Sequence, residues 1–264
     1  MAHILDEIVA FKRMEVGASK TKASLDELQG SRYYTRHCAS LVAALTEAKS
    51  SGIISEFKRK SPSKGWIHAQ ADVSQIVKAY DLAGVAGISC LTDNNFFGGS
   101  KADFEAARHS TKKPILRKEF IIDSYQIHES KAMGADVILL IASILKAEEI
   151  KEYTDLAHEL GMEVLLELHD KKELEKIYDK ADLIGVNNRN LKTFHVSIEH
   201  SLSMKKDLPN SSVLVSESGL NEVEKVQELY EKGYRGFLMG EYFMKDDAPG
   251  KTAKEFISKL TTGR

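Results

Sequence analysis

The segment SEFKRKSPSKG, residues 55–65, places acids and bases side by side directly after the apolar pair Ile53-Ile54. Because side chains alternate between the two faces of a strand, Glu56 and Lys58 share the face on which Ile54 lies. A carboxylate beside an ammonium can exchange protons with a bound substrate. Since buried, unpaired charges are costly, this pair predicts one wall of a functional pocket.

Four further apolar segments end in the same way. PILRKEF, EVLLELHD, DLIGVNNRN and SVLVSESG carry, on the face of their apolar residues, Lys118, Glu167, Asn187 with Arg189, and Glu217. Taken alone, Lys118 or Glu167 is explained equally well by a structural ion pair. Five segments that each turn from apolar to polar at the same end require a common cause, and an active site is such a cause.

The elements that must position these side chains follow a regular alternation. From residue 52 onward, short apolar runs alternate with amphipathic helical segments, several of which end in glycine. The predicted strands are residues 53–58, 86–91, 114–118, 136–141, 163–168, 182–186, 213–217 and 236–239. Eight such units predict an α/β fold, a closed (β/α)8 TIM barrel, with an open doubly wound sheet as the rival. No G-x-G-x-x-G follows the first strand, which weakens the dinucleotide-binding form of that rival.

Amphipathic segments precede the first strand. ILDEIVAFKRMEV and CASLVAALTEAKS both have helical periodicity. We therefore expect one domain over residues 1–264, in which residues 1–50 form an N-terminal helical extension packed on the barrel.

Composition restricts the partners and the compartment. A net charge of −2 argues against a general attraction to nucleic acid or anionic membranes, and no apolar run approaches the length of a membrane span. The N-terminus lacks the features of a signal peptide. Cys38 and Cys90 are too few for a disulfide framework, so a cytoplasmic location is expected. The histidines show no metal-ligand spacing. The oligomeric state is left open, with a monomer as the default.

A barrel would bring the polar strand ends together at one mouth, where its active site lies. Ser218 and Gly219 follow the seventh strand, and Gly240 follows the eighth. Loops at these two positions commonly bind phosphate through backbone N–H groups, which glycine allows to approach closely. The sequence therefore predicts a small phosphorylated substrate.

These motifs in combination resemble the indole-3-glycerol-phosphate synthase family along essentially the whole chain. The motifs that carry the resemblance are SEFKRKSPSKG, LTDNNFFGGS, ILRKEFIID, GADVILLI, LLELHD, IGVNNRNL, SESGL and GFLMGE, with ILDEIVAFKRMEV similar to the family's N-terminal helix. The resemblance implies a lyase of tryptophan biosynthesis that converts 1-(2-carboxyphenylamino)-1-deoxy-D-ribulose 5-phosphate to indole-3-glycerol phosphate, carbon dioxide and water. It implies no metal and no cofactor.

The resemblance also implies roles for individual residues. Lys118 corresponds to the general acid, Glu167 to the general base and Lys58 to a second lysine that contacts an anion or serves as an acid. The remaining catalytic positions correspond to Glu56, Asn187 and Glu217. The substrate-binding positions correspond to Ser61, Pro62 and Arg189 for the carboxylate, to Leu91, Phe97, Phe120, Leu139 and Leu191 for the aryl ring, and to Ser218, Gly219, Met239, Gly240 and Glu241 near the phosphate. Some family members carry a small hydroxyl residue in place of Glu241, so here we expect the backbone N–H to serve and the side chain to point away.

Lysine acid catalysis would require an ammonium whose pKa is drawn toward neutrality by burial or by neighbouring cations. We expect Lys118 to be such an isolated, inward-facing ammonium. Another reading is a Schiff-base aldolase on the same barrel, with Lys118 as the nucleophile. A non-enzymatic barrel that serves as an interaction protein is a third reading, but it predicts loss of the charged strand ends. His169-Asp170 is interpreted as the start of the loop into the fifth helix, and Cys90 as a core residue.

Overall fold

Eight parallel strands close into a barrel in the computed structural model, which describes residues 4–190 and 193–262. The barrel strands are β1 Ile53–Phe57, β2 Gly87–Leu91, β3 Ile115–Lys118, β4 Val137–Ile141, β5 Glu163–Leu168, β6 Leu183–Asn187, β7 Val213–Glu217 and β8 Gly236–Met239. Ring closure comes from β1, which pairs with β2 on one side and with β8 on the other. The predicted TIM barrel is confirmed, and each predicted strand overlaps an observed one.

Helices precede the barrel and surround it. They are α1 Ile4–Lys22, α2 Leu25–Gln29, α3 Leu41–Thr46, α4 Val73–Ala83, α5 Lys101–Ser110, α6 Ser124–Met133, α7 Ala147–Glu159, α8 Glu199–Met204, α9 Val223–Glu231, α10 Glu241–Met244 and α11 Pro249–Thr262. Asp72 and Asp123 cap the N-termini of α4 and α6, and glycines in the left-handed conformation end both helices. None of the helices in the described ranges is both long and apolar enough to cross a membrane.

The connection from β5 to β6 differs from the expected α-helix. It contains a 3₁₀ helix, Lys171–Lys176, which begins at a capping box formed by Asp170 and Glu173. Ile177 adopts an extended conformation and ends the helix after six residues. A short two-stranded ribbon, Lys60–Ser61 with Gly65–Trp66, lies in the loop after β1.

Apolar side chains form two clusters, one inside the barrel and one between the strands and the surrounding helices. Inward-facing residues such as Ile54, Leu165 and Val215 form the inner cluster, whereas Ile53 and Val164 pack against the surrounding helices. Because side chains alternate along each strand, the polar residue at the C-terminal tip continues the inner row. The barrel therefore collects its polar strand ends at one mouth.

The N-terminal helices contact both ends of the barrel. At the strand starts, Leu41 and Leu45 on α3 join the inner cluster, and Glu163 accepts hydrogen bonds from the backbone N–H groups of Leu41 and Val42. At the strand ends, Ile8 on α1 packs into the same cluster. The predicted N-terminal helical extension is confirmed.

Candidate active site

A cavity of about 700 Å³ opens at the C-terminal ends of the barrel strands. Its lining contains every described residue that was predicted to be catalytic or substrate-binding: Glu56, Lys58, Ser61, Pro62, Leu91, Phe97, Lys118, Phe120, Leu139, Glu167, Asn187, Arg189, Glu217, Ser218, Gly219, Met239, Gly240 and Glu241. Leu191 lies outside the described residues. Residues scattered over almost 190 positions of sequence therefore meet in one space.

Lys118 lies between two glutamates. Its Nζ donates a hydrogen bond to Glu167 and another, of 2.6 Å, to Glu217 Oε2. All three residues sit at the tips of β3, β5 and β7, and all face the interior of the barrel. The expected isolation of this ammonium is wrong, because strands far apart in sequence bring two carboxylates to it.

The pKa of Lys118 lies above its ordinary value, opposite to the expected direction. Burial alone would lower this pKa, but the negative charges of Glu167, Glu217 and Glu56 outweigh burial. Burial would also raise the pKa of Glu167, yet the charges of Lys118 and His169 hold it well below its usual range. Lys118 is therefore an ammonium, and Glu167 a carboxylate, at neutral pH.

Glu217 differs from its neighbour Glu167 in protonation. Burial and then the negative charge of Glu167 raise the pKa of Glu217 to about 8, although Lys118 opposes the shift. The site thus combines one carboxylate, one carboxylic acid and one ammonium at neutral pH. Two acidic groups with separated pKa values are the pattern expected of general acid–base chemistry.

Glu56 and Lys58 form an ion pair at the end of β1, with 2.6 Å between Lys58 Nζ and Glu56 Oε1. Gly240 packs against this pair, since a β-carbon at position 240 would collide with the Glu56 carboxylate. Close packing therefore favours a glycine after β8.

His169 is a site residue that the sequence interpretation missed. Its Nε2 lies 3.1 Å from Glu167 Oε1, and its side chain is 8% exposed. Asn187 Nδ2 donates to the same oxygen at 3.3 Å. The signal was present in the sequence, because His169 stands two positions after Glu167 and therefore shares its face.

Aromatic and aliphatic side chains form one wall of the cavity. The rings of Phe97 and Phe120 lie 5.9 Å apart between centroids, next to Leu91 and Leu139. Helix α1 adds further apolar residues, namely Ile4, Leu5 and Ile8, whose role in the site was not predicted. Such a wall suits a flat aromatic ring.

The loops after β7 and β8 form the polar end of the cavity. Ser218 and Gly219 have φ angles of 68° and 75°, a left-handed conformation that turns the chain sharply after β7. Lys225 and Lys245 also line the cavity and were not predicted. The carboxylate of Glu241 is turned toward Arg189, with 3.6 Å between Oε2 and Nη2.

The loop after β1 contributes a buried hydroxyl. Ser61 Oγ has no hydrogen-bond partner among the described residues. Because Ser61 also lines the cavity, this hydroxyl is free to form a hydrogen bond with a bound group.

A family model described as indole-3-glycerol phosphate synthase matches residues 5–256. The chain is 48% identical over 260 residues to the indole-3-glycerol phosphate synthase of Bacteroides thetaiotaomicron, covering 98% of this chain and all of that protein. It is 42% identical over 261 residues to the protein of the same name from Caldanaerobacter subterraneus, again covering 98% and 100% of the two chains.

Among solved structures, the chain is similar to a mutant tryptophan synthase alpha-subunit from the hyperthermophile Pyrococcus furiosus. The TM-score is 0.59 at 16% identity, and the match covers 81% of this chain and 98% of that chain. At this level of identity the likeness concerns the barrel fold alone.

Proposed function

The chain belongs to the indole-3-glycerol phosphate synthase family, decarboxylating carbon–carbon lyases of tryptophan biosynthesis, and we propose that Lys118 and Glu167 are its general acid and general base. The observation that carries this proposal is the Lys118 ammonium, which faces the cavity between Glu167 and Glu217. Glu56, Lys58 and Asn187 complete the polar groups around the reacting atoms.

Ring closure requires a proton at the ribulose carbonyl oxygen while the aryl carbon that bears the carboxylate attacks the carbonyl carbon. Lys118 is the donor in this step. The carboxylates that raise its pKa keep the proton on the amine, but they also make it a weaker acid than a lysine with a pKa near neutrality. Glu217 is therefore a second proton store beside it, because its raised pKa of about 8 keeps it protonated at neutral pH. The bond between this aryl carbon and its carboxylate then breaks. Carbon dioxide leaves, and the electron pair of the bond returns to the ring system.

Dehydration completes the reaction. The hydroxyl formed from the carbonyl leaves as water with a proton from a lysine, and Glu167 removes a proton from the substrate so that the indole ring becomes aromatic. Glu167 is suited to this role because its pKa is held low enough to keep it ionised. General acid–base help of this kind contributes about 10²–10⁴ in rate per group, so orientation of the aryl carbon against the carbonyl must supply much of the remainder.

Each group of the substrate is assigned to the cavity residues that match its chemistry. The aryl ring lies against Phe97 and Phe120, and its carboxylate contacts the Ser61 hydroxyl near Arg189. The phosphate lies at the backbone of Ser218, Gly219 and Gly240, on loops of the kind that bind phosphate in many barrels.

An aldolase reaction is a poorer fit to the same lysine. A Schiff base requires a neutral amine, whereas the carboxylates around Lys118 hold its pKa above the usual value. Borohydride should therefore fail to trap the protein on a carbonyl substrate.

The direct test is turnover of 1-(2-carboxyphenylamino)-1-deoxy-D-ribulose 5-phosphate by the purified protein, followed by the fluorescence of the indole product. We expect turnover without added metal or cofactor. Absence of indole formation, or inactivation by borohydride in the presence of substrate, would remove the proposal. We also propose a cytoplasmic location, which suits the two free cysteines.

A further inference from the structure

A buried lysine of α1 contacts barrel carboxylates behind the cavity wall. Lys12 is 1% exposed, and its Nζ lies 3.1 Å from Asp93 Oδ2, 2.9 Å from Glu119 Oε1 and 2.8 Å from Glu15 Oε2. Asp93 and Glu119 are themselves buried, in the loops after β2 and β3. A buried ion pair often adds little to the free energy of unfolding, because removing its charges from water is costly. Holding the two loops in a fixed position is therefore the better explanation for this one.

Each of these two carboxylates holds the backbone of an aromatic residue. Asp93 Oδ1 accepts hydrogen bonds from the N–H of Phe96 at 2.7 Å and from that of Phe97 at 3.2 Å. Glu119 Oε1 accepts from the N–H of Phe120 at 2.8 Å. Lys12 therefore joins the two loops whose rings, Phe97 and Phe120, contact each other in the cavity wall.

We propose that Lys12 is a positioning residue, whose ammonium holds Asp93 and Glu119 together and thereby sets the spacing of the Phe97 and Phe120 rings that receive the substrate's aryl group. The inference rests on the proposed function for the identity of that group. Nothing in the established activity assigns a role to Lys12, which acts only through the carboxylates.

Electrostatics gives the mechanism of this positioning. Among the described residues, Lys12 is the cation paired with Asp93, whereas Glu119 also faces Arg117 Nη2 at 3.7 Å. Without the ammonium, two buried carboxylates would face each other at low dielectric, and their repulsion would separate the two loops. Movement of about 1 Å at such a wall is enough to disturb the alignment of a reacting ring.

The first test is Lys12→Met, which keeps an unbranched apolar side chain only one atom shorter and removes its charge. We expect kcat/KM to fall about tenfold or more, with most of the loss in KM because Lys12 touches no reacting atom. Lys20→Met is the matched control, since Lys20 also joins α1 to a barrel carboxylate, Asp123 at 2.7 Å, but this carboxylate does not hold the aromatic wall. Equal kinetics of the two variants would overturn the proposal.

A rescue experiment separates charge from packing. In Lys12→Met/Asp93→Asn the repulsion is removed, while Oδ1 of the new amide can still accept from Phe96 and Phe97. Lys12→Met lowers log(kcat/KM) relative to the wild type. We expect the double variant to recover at least about half of that decrease. If the double variant is no better than Lys12→Met, then the lysine acts by packing and the proposal is wrong.

Two readouts do not depend on turnover. Amide hydrogen exchange should accelerate in peptides that cover residues 93–100 of Lys12→Met, but not of Lys20→Met, whose partner Asp123 lies outside this segment. Trp66, the one tryptophan of the chain, packs against Gly98 of the same loop, and its fluorescence should change in parallel. A wild-type protein without lyase activity would refute the proposed function, whereas unchanged exchange and fluorescence would refute the role of Lys12.

A second pair of variants covers the case in which Lys12→Met does not fold. Asp93→Ala removes the acceptor for Phe96 and Phe97, whereas Asp93→Asn retains it. We expect the KM of Asp93→Ala to exceed that of Asp93→Asn by about fivefold or more. Equal KM values would show that the carboxylate does not position the wall.

Discussion

Lys118 is held by two glutamates, and this arrangement determines the effect of its removal. Lys118→Met should lower kcat by about 10²–10⁴, the contribution of a general acid, while binding of a product analogue is largely retained. Binding survives because the remaining pair, Glu167 and Glu217, can share one proton and avoid facing each other as two charges. Steady-state kinetics and a binding titration would measure the two effects.

Lys118→Arg is the control that separates charge from proton donation. Arginine retains the positive charge beside the glutamates but does not give up a proton at accessible pH. We expect its kcat to be as low as that of the methionine variant. An activity loss of less than about tenfold in either variant would exclude Lys118 as the general acid.

Glu217 gives a prediction about stability and pH. Its folded-state pKa, raised by burial and by Glu167 to about 8, lies above the ordinary 4.5, so the folded protein binds more protons than the unfolded chain between these values. The contribution of Glu217 to the free energy of unfolding therefore falls as pH rises through this window, by at most about 1.4 kcal/mol per pH unit. Glu217→Gln removes this dependence.

Denaturant unfolding at several pH values between about 5 and 8 measures the effect. The stability of Glu217→Gln relative to the wild type should increase with pH. Glu231→Gln, at an exposed position on α9, is the control and should follow the wild type. Parallel curves for Glu217→Gln and the wild type would mean that Glu217 is ionised throughout.

At the scale of elements, the strands could be predicted from the sequence, but the contacts between side chains of different strands could not. The inner rows that end in Glu56 or Glu217 follow from the alternation of strand side chains, which is a local property of the sequence. Contacts between strands are not local, because Lys118 and Glu217 are 99 positions apart. Their mutual effect on protonation therefore required the closed barrel.

The N-terminal helix also shows that a local sequence pattern predicts an element but not its tertiary contacts. Periodicity predicted α1, but it could not show that Ile8 enters the cavity or that Lys12 faces barrel carboxylates. A lysine in an amphipathic helix is ordinarily solvated, so its burial depends on tertiary partners. We propose that the extension and the barrel form one domain, because α1 and α3 both bury side chains in the barrel's inner cluster.

The loop after β7 provides an element-scale prediction about phosphate. Gly219 has φ 75°, and a β-carbon there would lie 2.5 Å from Val196 Cγ1, so alanine is disfavoured by both backbone and space. Gly219→Ala should raise KM for the phosphorylated substrate by about tenfold, with a smaller change in kcat. Crystals grown with phosphate should hold the ion at the backbone of Gly219, Gly240 and Glu241, within reach of Lys58.

Gly161→Ala is the matched control for this substitution. Gly161 has φ 73°, but a β-carbon there would meet no atom within 4 Å, and the residue does not line the cavity. Its replacement should cost stability and leave KM unchanged. An ion at the opposite face of the barrel, or one bound by residues 58–65 alone, would contradict the proposed orientation of the substrate.

At the scale of the whole molecule, buried charges occupy both ends of the barrel but serve different purposes. Those at the strand ends surround the cavity. At the strand starts, Asp136 precedes β4, is fully buried, and bonds Arg36 and Arg108 at 2.6 Å each as well as the backbone N–H groups of Ala39 and Ile115. In TIM barrels the face at the strand starts supports stability and the opposite face supports catalysis.

Asp136→Asn tests this division of the molecule. The substitution leaves two guanidinium groups, one of them buried, without their carboxylate, which should lower the free energy of unfolding by about 3–5 kcal/mol. For a chain of this size that corresponds to a fall in Tm of roughly 10 °C.

Activity should respond differently, because Asp136 lies at the end of the barrel away from the cavity. At a temperature where the variant is folded, kcat/KM should stay within about twofold of the wild type. Asp155→Asn is the control, since Asp155 pairs with Lys151 on the exposed face of α7 and its loss should change stability little. Calorimetry and kinetics on the same samples decide the matter. A loss of kcat/KM in Asp136→Asn that matches the loss in Lys118→Met would show that the two ends of the barrel are coupled in catalysis.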